Sequence, residues 1–231
     1  MINGFYAAKA GARSYQTSLN VTANNIANVN TMGYQARRVS FSELVETNVS
    51  GSTVTVGNGS RISAITRNVS QGNLDVTSQV DVAISGDGFF VVTDETGAVS
   101  FTRAGRFMLS AEEDGNYVVT PYGDYVMDRE HNRISADRLT PDVLQAAALY
   151  RFANAEGLNA LGDGKFAMTE ASGPALIDNE SRILEGVGET SNVSLITEMM
   201  ELMTAQRGYQ YNLKMIQTAD ELEQAVQSMR T

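Results

Sequence analysis

The chain is poor in the side chains that usually carry catalysis. It has no cysteine in 231 residues, which excludes disulfides, thiolate metal sites and thiol nucleophiles. His131, in the polar run DREHNR, is the only histidine, so no histidine triad, HExxH site or His-pair zinc site can form within one chain. Carboxylates cluster in TDETG (93–97) and AEEDG (111–115), but an EF-hand loop needs oxygen ligands at alternate positions and a distant Glu. Hairpin tips explain both clusters. Glu112 and Glu113 have the residue types of a glycosidase acid pair, yet adjacent positions do not place them across a cleft. SGDGFF (85–90) and GNGS (57–60) contain GxG but continue as neither GxGxxG nor a Walker loop, so they read as tight turns. Neither cofactor nor metal is expected. What remains is amide chemistry. ANNIANVN (23–30) carries asparagine at 24, 25, 28 and 30, groups that donate and accept at once and compete for backbone hydrogen bonds.

Those amides sit at the end of a segment with helical spacing, about residues 3–30. Phe5, Ala12, Leu19 and Ile26 recur every seven residues, with Ala8, Tyr15, Thr22 and Val29 three positions behind each. About residues 192–230 repeat the pattern through Leu195, Met199, Leu202, Gln206, Tyr209, Leu213 and Ile216. The spacing then slips to threes through Ala219 and Leu222, a stammer, before Val226 and Met229. Ser191, Asn192 and Ser194 offer N-caps ahead of Glu198. Met199, Met200, Met203, Met215 and Met229 ride on this helix, as core or as adaptable packing against several neighbours.

The stretch between is strand and turn. VDVAISGDGFFVVTDETGAVSFTRAGRFMLS reads as strand, Gly turn, strand, hairpin at Asp94–Gly97, strand, turn at Gly105, strand. A second hairpin is expected at Asp114–Gly115 and a turn at Pro121–Gly123; residues 143–154 are read as strand rather than helix. The fold class is therefore α+β, with long terminal helices paired as a coiled-coil-like module and a β-rich domain inserted. Its boundaries are 1–34 with 190–231 for the helices, 35–70 for an extended connecting segment and 71–189 for the β-rich domain. Seam burial does not clearly outweigh the backbone entropy of ordering both helices, so the termini are expected to be loose in a free monomer.

A formal net charge of −10 argues against nucleic acid or an anionic membrane as the main partner. No apolar run is long enough to insert in a membrane. The start, MINGFYAAKAGARSYQ, lacks the charged and apolar regions of a cleaved secretory leader, which fits cytosolic residence or export without such a leader.

ANNIANVNTMGYQ (23–35) resembles the N-terminal signature of the flagellar rod and hook–basal-body family, met by Ala23, Asn24, Asn25, Ile26, Ala27, Asn28, Thr31, Gly33 and Tyr34. Gln35 stands where Lys or Arg is usual, and Arg37–Arg38 could supply that charge; otherwise the pair reads as a solvated face or an intersubunit ion pair. QGNLDVTSQVDVAISGDGFFVV (71–92) and FTRAGRF (101–107) are similar to the family's central motifs. Glu189, Ser191, Asn192, Val193, Glu198, Met203, Gln206, Arg207, Tyr209, Asn212 and Lys214 meet its C-terminal signature.

The resemblance implies a non-enzymatic structural subunit of the bacterial flagellar rod, most like a proximal-rod protein. Such a subunit would be exported unfolded through the flagellar type III apparatus. It would assemble end-on with copies of itself and other rod and hook proteins, its paired helices forming the inner layer. It also implies a subunit interface of Phe5, Ala12, Tyr15, Leu19, Asn24, Asn25, Ile26, Asn28, Gly33, Asn192, Leu195, Met199, Leu202, Gln206, Arg207, Tyr209, Asn212, Leu213 and Ile216. There the asparagines would bridge to backbone groups of adjacent subunits, and Gly33 would supply the left-handed turn that ends the helix. Gln206 and Asn212 would set register. The alternatives are a distal-rod or hook-type member, a closed coiled-coil scaffold, and a wall-cleaving hydrolase using Glu112 or Glu113. The run DREHNRISADRL departs from the family pattern near 125–140.

Overall fold

The computed structural model describes residues 2–45, 47–48, 55–77, 80–112 and 115–229. The fold is α+β, with a helix at each end of the chain and a β-rich region between. It divides into two compact units: Met1–Ala27, Arg37–Arg67 and Ser194–Thr231 in one, Asn28–Ala36 and Asn68–Val193 in the other.

In the helical unit, Ile2–Ala27 lies against Leu195–Ser228. The pair is antiparallel: Asn25 meets Glu198, while Tyr15 faces Gly208 and Gly11 faces Asn212. Two glycines let the backbones approach. A Cβ at Gly11 would lie 2.6 Å from Asn212 Oδ1, and one at Gly208 would lie 2.5 Å from the Tyr15 ring. The N-terminal seam falls where the spacing predicts, with Ala8, Ala12 and Thr22 buried and its remaining members partly so.

The C-terminal seam does not. Glu198, Leu202, Ala205, Tyr209, Asn212, Ile216 and Ala219 are buried or half-buried in a regular alternation of fours and threes, with Gly208 and Thr218 half-buried beside them. Leu202, Tyr209 and Ile216 are shared with the expectation, but Met199, Gln206 and Leu213 lie one position off and are exposed. No stammer is needed. The apolar pattern had picked out the outer flank of the seam, because its true members include a glutamate, two alanines and an asparagine.

Residues 35–70 are not a bare connector. Arg37–Glu43 pairs antiparallel with Ser60–Arg67, with a bulge between Ser40 and Phe41, and both strands lie along the N-terminal helix. The Tyr15 and Phe41 rings stand 5.6 Å apart, and the Ser14 hydroxyl donates to Ser60 O at 3.3 Å.

The β unit is organised around Phe89–Thr93, a strand buried along its whole length. It pairs antiparallel with Val99–Thr102, Tyr125–Val126 and Leu149–Arg151. Alternating side chains serve opposite faces. Phe90 and Val92 join Val82, Ile84, Phe107, Val118, Val126 and Leu144 on one side; Phe89 and Val91 join Phe101, Tyr150, Phe152 and Phe166 on the other. Two covered faces explain why FFVV is continuously apolar rather than alternating.

The turn at Asp94–Gly97 forms as expected. Asp94 Oδ1 accepts from the amides of Thr96 and Ala98, each at 2.9 Å, and from the Thr96 hydroxyl at 2.7 Å. That hydroxyl, first among several hydrogen bonds, holds the carboxyl below its ordinary range. The turn before Asp124 also forms, with Gly123 at φ +91. Glu113 and Asp114 fall outside the described residues. Residues 143–154 are mixed: Pro141–Leu144 is one helical turn, and only Leu149–Arg151 is strand.

Candidate functional site

The motif residues of the β unit converge on one buried polar junction. Arg103 Nε donates to Glu189 Oε2 at 3.0 Å with the two side chains 1% and 3% exposed. Arg103 Nη2 donates to Gly86 O at 2.7 Å, and its guanidinium lies 5.5 Å from the centre of the Phe89 ring. The other Glu189 oxygen accepts from Gly72 N at 3.0 Å, and Glu189 O accepts from Gly33 N at 2.9 Å. Both Glu189 carboxylate oxygens and the Arg103 Nε and Nη2 groups are hydrogen-bonded, which offsets part of the cost of burying the pair. Gly33, at φ +66, packs so closely that a Cβ would lie 2.8 Å from Ala104 N. Gly72 is tighter still, with Thr190 O 2.0 Å from a Cβ built there.

Asn192 closes the same region. Its Oδ1 accepts from Ala36 N at 2.7 Å, and its Nδ2 donates to Asn68 O and Ser70 O, both at 2.8 Å. Gln35 beside it is buried, and neither of its amide atoms finds a partner among the described residues. A burial of this kind costs free energy.

In the helical unit, Asn25 performs an equivalent clasp. It is 1% exposed; its Oδ1 accepts from Arg37 N at 3.0 Å and its Nδ2 donates to Arg37 O at 2.8 Å. This two-point grip on a single peptide fixes the first residue of the strand to the last turn of the helix. Nδ2 also lies 3.1 Å from Glu198 Oε2. Burial raises the Glu198 pKa above its ordinary value, the Asn25 bond only partly opposing that.

Inside the chain, Asn25 and Asn192 hold backbone groups, Gly33 packs against Ala104, and Ala12 is buried on the helix seam. Gly33 does not end the helix: the helix stops at Ala27, and Gly33 lies beyond a turn closed by Thr31 N to Asn28 O at 3.1 Å. Ser194 is the N-cap by position, but its side chain makes no capping bond. Phe5, Tyr15, Leu19, Ile26, Asn28, Leu202, Tyr209, Asn212 and Ile216 are half-buried; Asn24, Leu195, Met199, Gln206, Arg207 and Leu213 are exposed.

Arg103, Gly72 and the buried face of Glu198 were not singled out as site residues. Arg103 had a signal, as the third residue of FTRAGRF, but its partner lies 86 positions away and cannot be read from spacing. Among the described residues no group of His, Asp and Glu could hold a metal, and no helix is long and apolar enough to cross a membrane.

Three family models match the chain. They are described as flagella basal body rod protein (residues 5–35), flagellar hook protein FlgE/F/G D1 domain (83–148) and flagellar basal body rod FlgEFG protein C-terminal (184–229). The flagellar basal-body rod protein FlgG of Bacillus subtilis is 30% identical, with all of both chains covered. Its counterpart in Buchnera aphidicola subsp. Baizongia pistaciae is 32% identical over 97% of this chain and 98% of the relative. That of Agrobacterium fabrum is 35% identical over 95% and 96%. The matched stretches bring together Gly33, Arg103 and Glu189, the residues of the buried junction. By that full-length similarity the chain belongs to the flagellar basal-body rod protein family and is a structural subunit of the rod.

Proposed function

We propose that the chain polymerises with copies of itself and with other rod and hook proteins into the helical axial shaft, in its proximal part, and that it performs no catalysis. One observation carries this reading. Of the long C-terminal helix, only Glu198 and Ala205 are buried, while Leu195, Ile196, Met199, Met200, Met203, Leu213, Met215, Leu222, Val226 and Met229 stand out from it. A run of exposed aliphatic and thioether side chains along one helix is a docking surface, and methionine adapts to more than one neighbour. The contact is heterologous, and repeated with a rotation that does not close it yields a filament.

The interface then comprises Phe5, Leu19, Asn24 and Asn28 from the N-terminal helix and its end. From the C-terminal helix it takes Leu195, Met199, Gln206, Arg207 and Leu213. Tyr15, Ile26, Leu202, Tyr209, Asn212 and Ile216 set the shape from the half-buried seam. Export through the type III apparatus without a cleaved leader suits a helical unit whose order depends on neighbours.

The test is a deletion strain. Loss of motility, with basal bodies that stop before the hook and recover when the chain is restored, supports the reading; normal basal bodies overturn it. A zymogram against cell wall tests the absence of catalysis. Clearing that disappears on substituting Glu112 would make the chain a hydrolase.

A further inference from the structure

The helical unit carries two exposed features toward opposite ends of its helix pair, and they match each other. The first is an overhang. The pairs Asn25–Glu198, Tyr15–Gly208 and Gly11–Asn212 fix an antiparallel register in which residue numbers sum to about 223. That register sets Ile2 beside about residue 221, and the C-terminal helix continues to Ser228. Every residue from 221 to 229 is exposed, including Leu222, Val226 and Met229 at 55%, 44% and 79%. Their spacing of four and three puts them on one side of the helix. Asp220, Glu221 and Glu223 accompany them, and the first basic residue after Lys214 is Arg230.

The second is a groove of about 370 Å³ toward the other end, lined by both helices and the strand Arg37–Glu43. Tyr15, Val21, Phe41 and Met200 give it apolar lining, and Arg37, Arg38 and Glu201 give it charged lining. An amphipathic helix with an apolar stripe and acidic flanks is what such a groove accepts.

Building on the rod reading, we infer that the overhang of one copy docks in the groove of a second copy. Leu222, Val226 and Met229 would lie on the apolar lining, and Glu221 and Glu223 against Arg37 and Arg38. Because the two surfaces differ and lie toward opposite ends of one unit, the contact repeats head to tail along the helix pair. It does not close on itself.

The absence of cysteine makes a clean test possible. A chain with both Met200→Cys and Val226→Cys is oxidised, as concentrated purified protein and in basal bodies isolated from cells carrying it as the sole copy. The expected result in either preparation is a ladder of disulfide-linked trimers and longer species, with each single variant giving at most dimers. Arg37→Glu with Arg38→Glu, added to the paired cysteines, should abolish the ladder, and Glu221→Lys with Glu223→Lys should then restore it. Motile cells whose basal bodies yield no ladder, together with none from the purified chain, would overturn the docking while leaving the rod assignment standing. A ladder indifferent to the arginine changes would overturn it as well. Failure to complement a deletion strain with the unaltered chain would instead count against the rod reading.

Discussion

The two units bury opposite kinds of side chain. The β unit encloses phenylalanine, valine, isoleucine and leucine on both faces of its central strand. The helical unit buries Ala8, Ala12, Ser14, Thr22, Asn25, Glu198 and Ala205, and leaves its large apolar residues half-buried or exposed. The first has a closed apolar core; the second leaves much of its apolar surface exposed, surface that the proposed subunit contacts would bury. Each unit also uses an asparagine as a backbone clasp, Asn192 in one and Asn25 in the other. The shared device shows that geometry is specified in both, even where burial is thin.

This contrast can be broken most severely in the β unit. Phe90→Ala should lower its unfolding free energy by about 3–5 kcal/mol, read by denaturant titration. Glu189→Ala strands the Arg103 charge and should cost about 3–5 kcal/mol by the same measurement, with neighbouring amides around Gly33 and Gly72 losing exchange protection. If either change is nearly silent, the β unit is not the self-sufficient one. Asn25→Ala removes three bonds around one buried group and should cost about 1–3 kcal/mol, confined to the helical unit.

Met199→Ala with Leu213→Ala should leave monomer unfolding within about 0.5 kcal/mol for each change yet impair incorporation into rods. A large loss in the monomer would mean those side chains already have an intramolecular partner. The smallest effect concerns Glu198. Its folded-state pKa is raised, so between the ordinary glutamate range and that raised value the folded chain holds more protons than the unfolded one. The helical unit should therefore lose stability as pH climbs through that interval and regain it on acidification. Glu198→Gln should flatten the dependence in a pH series of thermal melts.

Much of the architecture was legible because periodicity reports on burial. The repeats at Phe5, Ala12 and Leu19 gave the N-terminal seam, and Asp94–Gly97 gave its hairpin. One row of the C-terminal seam was misplaced by one residue because its sticky flank, Met199 and Leu213, is more apolar than the contact line through Glu198, Ala205 and Asn212, while Leu202, Tyr209 and Ile216 fell where expected. The asparagine cluster showed that recognition occurs but not with what: an amide that grips Arg37 in its own chain and one that grips a neighbour look alike in sequence. The pairing of Arg37–Glu43 with Ser60–Arg67 was not legible, because the stretch reads only as extended, Ser- and Thr-rich chain and the register is non-local.

The Arg103–Glu189 clasp has a consequence for the order of events in making this protein. Gly33, Gly72, Arg103 and Glu189 must all arrive before it shuts, a span of more than half the chain. Closing so long a loop is slow relative to local helix formation. A polypeptide delivered head first, from a ribosome or through a narrow conduit, therefore stays unlatched until its final fifth emerges, and remains threadable for nearly the whole of its passage.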